Sequence, residues 1–252
     1  MSDQPYITLI LPAYNEVRRI ANTISEAKAY FEKSGYTHEI IVSADGDDGT
    51  RELVTKMGQT DPALKVIGGV ERRGKGYGIR RAVAMAQGQI IGFSDADNKT
   101  PIDEFDKVAP LLQQGVDVVI GSRGARESQI ERRQPLYRQV GSRGFGVFMH
   151  TVIGLHDIKD TQCGFKFFQR HVATDIFSRQ QIDAYMYDVE ILYLAKQAGY
   201  QIAQVPIRWR DDGDSRLELV RGNIQNLKDI FRIRLTALRA PRPVTVKHEA
   251  KS

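Results

Sequence analysis

The chain has 252 residues, 41% of them hydrophobic and 27% charged, which is ordinary for a folded soluble protein with one large α/β domain or two small ones. Its single cysteine, Cys163, excludes an internal disulfide framework, and its longest helix-like stretch without charged residues, 144–156, is too short to span a bilayer. The formal net charge of +5 indicates anionic partners: nucleic acid, phosphorylated metabolites or acidic lipid. The N-terminus has no basic segment followed by an apolar run, so we expect no signal peptide.

Apolar runs in the first half of the chain predict strands at residues 6–11, 39–45, 64–69, 90–93 and from 116 onward. Helical spacing and capping signals predict helices at 15–31, after Thr50, at 75–87 and at 100–114. In the last of these, Thr100 is the expected N-cap, Pro101 suits the first turn and Asp103 holds the capping-box position. Because strands and helices alternate with short loops and the strands are rich in Val and Ile, we expect a Rossmann-like, mostly parallel α/β sheet with helices on both faces.

The pattern becomes less regular after Arg123. A basic loop (124–135) is expected first, followed by a helix (136–152), the motif DTQCGFKFF (160–168), a second helix (188–198) and a strand (201–205). We expect residues 124–240 to form an appended C-terminal half that closes over the ligand edge of the sheet within one domain. Residues 241–252 are expected to form a polar tail.

Two aspartates, Asp95 and Asp97, directly follow the predicted strand at 90–93. In a parallel sheet, ligands bind beyond the carboxyl ends of the strands. Two like charges repel each other there unless a cation lies beside them, and hard cations such as Mg²⁺ or Mn²⁺ prefer oxygen ligands. The alternative interpretation is a surface loop whose aspartates cap the next helix.

The segment GVERRGKG (69–76) matches a phosphate-binding P-loop except at its last position, where Gly76 replaces the Ser or Thr that binds the metal. We therefore reject a nucleoside triphosphatase. Lys75 lies between glycines at a predicted helix N-terminus and remains well placed to meet an anion. Arg123 and Arg143 each lie between a serine and a glycine, and Arg138 lies in the same segment as Arg143; all three are candidates for phosphate contacts or simply surface residues.

The motifs LPAYNE, an Asp-rich turn after the second strand, GKG, DAD, GSR and DTQCGFKFF, in this order, resemble family 2 glycosyltransferases of the GT-A fold. Within that family the chain is most similar to the polyprenyl-phosphate sugar transferases, the dolichyl-phosphate β-glucosyltransferases among them. The resemblance extends over residues 5–235. Its most specific part is DTQCGFKFF followed by MYDVEILYLA.

The resemblance implies an inverting, metal-dependent glycosyltransferase that moves a sugar, expected to be glucose, from a UDP-sugar to a polyprenyl (dolichyl-type) phosphate. It implies that Asp95 and Asp97 bind Mg²⁺ or Mn²⁺, and that residues 1–123 form the nucleotide-sugar-binding half and 124–240 the acceptor half. It assigns the nucleotide-sugar pocket to Pro12, Ala13, Tyr14, Glu16, Asp45, Lys75, Asp95, Ala96 and Asp97. It assigns the acceptor phosphate to Arg138, Ser142, Arg143, Gln162 and Arg216, with Arg123 also facing the phosphates.

The sequence departs from the family pattern in two places. The family usually has consecutive aspartates after the second strand, whereas SADGD leaves the base contact open between Asp45 and Asp47. Many relatives also carry membrane helices, and none is predicted here. We therefore expect a cytoplasmic protein that binds peripherally to the cytoplasmic face of a membrane, without a nucleic-acid partner.

The acceptor decides which side chains the chemistry needs. A lipid phosphate is already ionised at pH 7, so positioning and charge stabilisation suffice. A hydroxyl acceptor, in a soluble transferase of the same fold, requires a base, and Asp188 is then the candidate; its alternative role is to cap the helix that follows. A third interpretation, a nucleotide-sugar-binding protein without catalysis, is disfavoured by Asp95, Asp97 and Gln162.

The segment 221–239 predicts an amphipathic helix. Apolar residues fall on one face at helical spacing, and basic residues fall about a quarter-turn away: Ile224, Leu227, Phe231, Leu235 and Leu238 on the first, Arg221, Lys228, Arg232 and Arg239 on the second. One hypothesis is a helix that lies on an anionic bilayer. The other is a helix that packs its apolar face on the domain and turns its basic face to water.

Overall fold

A computed structural model of the chain describes residues 4–124, 129–130, 151–210 and 221–239. The strands are β1 (Ile7–Tyr14), β2 (His38–Asp45), β3 (Leu64–Ile67), β4 (Ile90–Ser94), β5 (Val118–Ser122), β6 (Gln129–Ile130), β7 (Phe165–Gln169), β8 (Ile202–Pro206) and β9 (Arg208–Trp209). The α-helices are α1 (Ile20–Lys33), α2 (Thr50–Gly58), α3 (Lys75–Met85), α4 (Ala109–Gln113), α5 (Arg170–Arg179), α6 (Tyr187–Gln197) and α7 (Arg221–Arg239), and a 3₁₀ helix at Ile102–Lys107 precedes α4.

Seven strands form one sheet in the order β3-β2-β1-β4-β7-β5-β8. Every neighbouring pair is parallel except the two that involve β7, which runs antiparallel to both β4 and β5. The predicted mostly parallel sheet is therefore confirmed. The insertion of β7 between β4 and β5 was not predicted, and it means that the later part of the chain shares the sheet of the first part.

A hydrophobic core covers each face of this sheet. One core lies beneath α3, α5 and α6 and includes Phe93 and Phe168. The other lies beneath α1 and the helices at 102–113 and includes Phe31 and Phe105. Successive side chains of a strand point to opposite faces of the sheet, so each strand contributes side chains to both cores. This double burial explains why the strands read as continuous apolar runs.

Helix α1 begins five residues later than predicted because the preceding loop leaves helical geometry. Asn15 has a left-handed backbone (φ 55°), and residues 17–19 form a turn before Ile20 starts the helix. Gly46 lies against this loop, and a Cβ there would lie 2.0 Å from Asn15 Oδ1. The LPAYNE motif therefore ends in a loop at the edge of the sheet.

The predicted helix at 100–114 is divided into the 3₁₀ helix and α4. The prediction that Thr100 caps it is wrong, because Pro101 holds the N-cap position and makes no side-chain cap hydrogen bond. Asp103 instead pairs with Arg208, with 2.6 Å between Oδ2 and the guanidinium nitrogen. That contact fastens this helix to β9 rather than completing a capping box.

Candidate active site

The carboxyl ends of four parallel strands meet at one edge of the sheet: β1 at Tyr14, β2 at Asp45, β4 at Ser94 and β5 at Ser122. Strand β7 is antiparallel, so its amino end lies at the same edge, where Phe165 is registered with Ser94. The predicted site segments that follow the parallel strands therefore come together with the residues that precede β7.

A tight turn after β4 carries the two aspartates. The Asp95 carbonyl accepts a hydrogen bond from the Asn98 N–H at 3.1 Å, and Asn98 adopts a left-handed backbone (φ 56°). Thr23 of α1 donates its hydroxyl to the Ala96 carbonyl at 2.8 Å. The turn is thus held both by its own backbone and by α1, which gives Asp95 and Asp97 a defined position.

Each aspartate has a lysine beside it. The Lys75 ammonium is ion-paired with Asp95, and Lys99 Nζ lies 3.5 Å from Asp97 Oδ2. Burial and the Asp95 charge raise the pKa of Asp97. Burial alone would lower the pKa of Lys75, but the charges of Asp95 and Asp188 outweigh it and raise that pKa. Among the residues that the structure describes, no third acidic, His or Cys side chain joins this pair to form a cluster of three.

The block DTQCGFKFF forms a wall of the Asp95 site. A Cβ on Gly164 would lie 2.1 Å from Asp95 Oδ2, so only glycine allows the backbone to approach the carboxylate this closely. The family resemblance is strongest in this block, and the structure places it directly against the aspartate that follows β4.

The GKG motif is explained by packing at the start of α3. A Cβ on Gly74 would lie 2.3 Å from the Asp183 carbonyl oxygen, and one on Gly76 would lie 2.5 Å from the Ile182 carbonyl oxygen. Lys75, between them, is the first residue of α3. Gly76 therefore stands where a P-loop has Ser or Thr because the loop around Ile182 and Asp183 packs onto this helix start.

The two candidates for the contact with the nucleotide base, Asp45 and Asp47, have different surroundings. Asp45 lies at the end of β2 and accepts a hydrogen bond from the Arg73 N–H at 2.9 Å, whereas Asp47 is exposed. The Arg72 guanidinium lies 4.3 Å from the centre of the Tyr14 ring. Asp45 and Tyr14 are thus both held by the segment before α3. This makes Asp45 better placed than Asp47 for the predicted base contact.

Two residues that the sequence analysis missed shape this part of the site. Asp48 accepts hydrogen bonds from the Val17 N–H at 2.9 Å and from the Thr50 N–H at 3.0 Å, which joins the loop after β1 to α2. Arg51 donates to the carbonyls of Gly46 and Gly69 at 2.6 and 2.7 Å. The nucleotide segments predicted around Pro12, Ala13 and Glu16 are positioned by these contacts, which join the ends of β1, β2 and β3.

Arg123 lies at the end of β5, and its guanidinium is held by a carboxylate. It makes two hydrogen bonds to Asp160, at 2.7 and 3.0 Å, and its Cζ lies 5.5 Å from the centre of the Trp209 ring. Burial alone would raise the pKa of Asp160, but Arg123 holds it below its usual range. The predicted phosphate contact of Arg123 stays a prediction, since the guanidinium is engaged with Asp160 here.

Gln162 lies next to this pair. Its backbone N–H donates to Asp160 at 3.3 Å, and its side-chain Nε2 is buried without a hydrogen-bond partner among the described residues. A buried amide nitrogen with unused donors is costly unless a ligand or water accepts them. Gln162 is therefore able to donate to an anion at this edge.

Asp188 is neither exposed nor a helix cap. It is 3% exposed, and it accepts a hydrogen bond at 2.5 Å from Lys166, which is 0% exposed. Of the two roles left open for Asp188, the capping of α6 is ruled out, because Met186 is the N-cap and no side-chain cap hydrogen bond forms. Lys166 was missed, although a lysine among three phenylalanines in FKFF signals a buried ammonium that needs a carboxylate.

Four predicted acceptor residues, Arg138, Ser142, Arg143 and Arg216, lie outside the described residues, as does most of the predicted helix at 136–152. Of the acceptor set, the structure thus describes Gln162. It describes the entire predicted nucleotide-sugar set and brings it to the carboxyl edge of the sheet.

Comparison with known proteins identifies relatives over most of the chain. The model of "Glycosyl transferase family 2" matches residues 8–177. A dolichyl-phosphate beta-glucosyltransferase of Trichomonas vaginalis is 34% identical over 240 residues, which are 90% of this chain and 70% of that protein. Proteins of the same name from Dictyostelium discoideum and Homo sapiens are 34% and 31% identical over 94% and 92% of this chain, and in each case over 76% of the relative.

Solved structures share the fold at lower identity. The mannosyl-3-phosphoglycerate synthase of Rubrobacter xylanophilus matches with a TM-score of 0.69 and 18% identity over 98% of this chain and 79% of that one. The glucosyl-3-phosphoglycerate synthase of Mycobacterium tuberculosis, solved with Mn²⁺, UDP and glucosyl-3-phosphoglycerate, matches with a TM-score of 0.64 and 20% identity over 94% of this chain and 81% of that one. The predicted GT-A fold is confirmed. With a family match over more than half of its length and relatives above 30% identity, the chain is a glycosyltransferase that belongs to glycosyl transferase family 2.

Proposed function

We propose that the chain transfers glucose from UDP-glucose to a dolichyl-type polyprenyl phosphate, with inversion at the anomeric carbon. The observation that carries the proposal is the position of Asp95 and Asp97 at the end of β4, beside Lys75 and the DTQCGFKFF wall. The choice of sugar and acceptor is supported by relatives at 31–34% identity that are named dolichyl-phosphate beta-glucosyltransferases. One structural neighbour was solved with UDP and Mn²⁺, which is consistent with a UDP-sugar donor and a divalent cation.

The residues present fit a divalent cation. Asp95 and Asp97 offer carboxylate oxygens, the ligands that Mg²⁺ and Mn²⁺ prefer, and two protein ligands leave positions open for other oxygen atoms. The raised pKa of Asp97 reflects burial and repulsion from Asp95, and a cation between the two would relieve the repulsion. When bound there, the cation would offset negative charge on the leaving diphosphate.

The chain's own side chains supply the rest of the donor site. Lys75 stays protonated because Asp95 and Asp188 raise its pKa, so its ammonium offsets phosphate charge at the start of α3. Tyr14 and Asp45, held by Arg72 and by the Arg73 N–H, border the space assigned to the nucleotide. These contacts position the donor and compensate its charge, which is what a reaction between two anions requires.

The surroundings of Asp188 favour a phosphate acceptor over a hydroxyl. A hydroxyl acceptor needs a base that reaches its proton, yet the Asp188 carboxylate is buried and bound to Lys166. A lipid phosphate is already ionised and needs positioning alone. Gln162 Nε2 is suited to that task, and we assign it together with Arg138, Ser142, Arg143 and Arg216 to the acceptor phosphate.

The proposed acceptor is a membrane lipid, so the reaction would take place at a bilayer surface, which we assign to the cytoplasmic face. The described residues include no helix of the length and apolar character needed to cross a bilayer. Peripheral binding is therefore part of the proposal.

Mass spectrometry of the products tests this function. The full chain would be incubated with UDP-glucose, Mn²⁺ and a short polyprenyl phosphate, with the polyprenol of the same length as the control acceptor and UDP-galactose and GDP-mannose as control donors. We expect glucosyl phosphoryl polyprenol from UDP-glucose and no product from the alcohol. Transfer to the alcohol, or to the phosphate from a different donor only, would contradict the proposal.

A further inference from the structure

Helix α7 has two different apolar faces. Ile230 and Ile233 are 0% and 3% exposed and belong to the core that also includes α6. Leu227, Phe231 and Leu235 are 37%, 54% and 59% exposed. At about 100° per residue, these three lie within roughly a quarter-turn of one another and on the side away from the buried isoleucines. Helix α7 therefore packs on the domain through Ile230 and Ile233, whereas Phe231 and Leu235 of the predicted apolar stripe are mostly exposed and Leu227 is only partly covered.

Basic side chains border the exposed stripe on both sides. Lys228 and Arg232 follow it on one side and Arg234 on the other, and all three are exposed. Asp229 is the one acidic residue among the described side chains of α7, and it is buried on the opposite side at 4% exposure. The outer surface of the helix is therefore apolar along its centre and positive along its edges.

We propose that this outer surface of α7, formed by Leu227, Lys228, Phe231, Arg232, Arg234 and Leu235 and here called the outer α7 stripe, binds the surface of an anionic bilayer. An interfacial helix buries its apolar side chains at the boundary between headgroups and acyl chains, and flanking Lys and Arg attract anionic lipid headgroups. A contiguous stripe of large apolar side chains in water is otherwise unfavourable for a soluble protein.

The charges favour a bilayer over a second copy of the chain. A symmetric dimer built on this stripe would bring the basic edges of the two helices close to each other, and like charges at an interface oppose association. An anionic bilayer instead complements the charge of both edges while it covers the apolar centre.

The position of α7 connects the outer stripe to the active site. Arg232 donates to Gln181 Oε1 at 3.3 Å, and the next residue, Ile182, has its carbonyl oxygen against Gly76 beside Lys75. Glu190 of α6 holds this loop by accepting the Gln181 and Ile182 N–H groups at 2.9 and 2.8 Å. The inference thus deepens the proposed function, on which its purpose rests, because the helix that binds the bilayer contacts the loop that packs on the start of α3.

Vesicle sedimentation of the full chain tests the inference. The vesicles would be phosphatidylcholine alone or phosphatidylcholine with phosphatidylglycerol, each at low and high salt. The apolar variant is Leu227→Ser/Phe231→Ser/Leu235→Ser, and the charge variant is Lys228→Gln/Arg232→Gln/Arg234→Gln. The matched control is Val70→Ser/Met85→Ser, which removes two exposed apolar side chains elsewhere on the surface, 68% and 46% exposed.

We expect the unchanged chain to prefer anionic vesicles and to bind them more weakly at high salt. The charge variant should lose about a hundredfold in affinity for anionic vesicles, the apolar variant should bind neither vesicle type, and the control should behave as the unchanged chain. Equal binding by the apolar variant and the unchanged chain would overturn the inference. So would a concentration-dependent dimer in analytical ultracentrifugation that the apolar variant abolishes, because a second copy would then cover the stripe.

Activity measurements separate this inference from the proposed function. With a short, water-soluble isoprenyl phosphate and no vesicles, the apolar variant should keep the kcat of the unchanged chain. If no acceptor is glucosylated by any form, the proposed function fails while the sedimentation result still stands. Circular dichroism melting curves would confirm that the variants remain folded.

Discussion

Charged side chains around the end of β4 are arranged in pairs. Each of these carboxylates is paired with a lysine or arginine side chain: Asp95 with Lys75, Asp97 with Lys99, Asp160 with Arg123 and Asp188 with Lys166. The pairs differ in burial, and the last is almost fully enclosed. The half-exposed pair of Asp95 and Lys75 is the one in which a bound cation and a phosphate would compete with the existing partners.

Substituting Asp97 tests the metal site. Asp97→Asn removes one of the two carboxylates that we propose hold the cation, and losing a charged contact of this kind costs about 1.5–3 kcal/mol, or roughly ten- to a hundredfold in affinity. We expect that loss in calorimetric titration of UDP-glucose with Mn²⁺ present. The fold should keep its melting temperature, because burial and Asp95 already disfavour the charged form of Asp97. An unchanged titration would remove Asp97 from the donor site.

The pair of Lys166 and Asp188 supports the fold. Lys166→Met leaves a buried carboxylate without its partner, and breaking a buried ion pair in this way costs about 3–5 kcal/mol of unfolding free energy. The double variant Lys166→Met/Asp188→Leu should recover most of that loss, because it removes both charges. Urea denaturation of the two variants measures both effects. If the single variant were as stable as the unchanged chain, the pair would have no structural role.

At the scale of elements, the loops between helices and strands determine the shape of the site. Strand β7 enters the sheet antiparallel, so its preceding loop reaches the same edge as the ends of β1, β2, β4 and β5. Glycines then allow backbone to approach backbone or carboxylate, at Gly164 beside Asp95 and at Gly76 beside Ile182. Each close approach joins elements that are distant in the chain.

A pair of glycine substitutions tests the packing at the start of α3. Gly76→Ala places a Cβ 2.5 Å from the Ile182 carbonyl oxygen and 2.6 Å from Tyr187 Cβ, so the loop or the helix must move. We expect a lower melting temperature and a higher KM for the donor, since Lys75 moves with the helix start.

The matched control is Gly69→Ala, whose Cβ would meet nothing within 4 Å. It should leave both the melting temperature and the KM unchanged. Equal behaviour of the two variants in thermal melts and steady-state kinetics would contradict this account of the GKG motif.

For the whole molecule, the two edges of the sheet have different roles. The carboxyl edge carries the candidate active site. At the amino edge, Glu39 at the start of β2 holds neighbouring strands together. Glu39 is 3% exposed and accepts hydrogen bonds from Thr8 and Lys65, each at 2.7 Å, and from the Gln87 N–H at 2.5 Å. These contacts join β1, β2, β3 and the loop before β4.

Acid should therefore destabilise the fold partly through Glu39. Burial alone would raise its pKa, but the hydrogen bonds from Lys65, Thr8 and Gln87 hold it below its ordinary value. A carboxylate with a lowered native pKa stabilises the fold at pH values above its unfolded pKa of about 4.3, and this stabilisation is lost as the pH falls through the native pKa.

Glu39→Gln tests that expectation in urea denaturation between pH 7 and pH 3. The variant should be less stable at pH 7 and should lose less further stability on acidification. Glu71→Gln, at a side chain 80% exposed, is the control and should follow the unchanged chain. Parallel pH profiles for Glu39→Gln and the unchanged chain would contradict the role of Glu39.

Several features could be predicted from the sequence because they depend on residues close together in the chain. Runs of Val and Ile predicted β1 to β5, since a strand buried on both faces is apolar at every position. The aspartates at 95 and 97 were placed at the ligand edge because they directly follow such a run. The ordered motifs, above all DTQCGFKFF, were enough to indicate the family, which the relatives confirm.

Other features were decided only by contacts between distant parts of the chain. Asp160 partners Arg123 across 37 positions and Asp188 partners Lys166 across 22, so neither pair is visible in a local pattern. The antiparallel insertion of β7 depends on hydrogen bonds to β4 and β5, which no periodicity reports. In α7, two apolar faces are present in the sequence, and packing against the core buries Ile230 and Ile233 while Leu227, Phe231 and Leu235 face outward. Periodicity determines which residues share a face of a helix, but the neighbouring elements determine which face is buried.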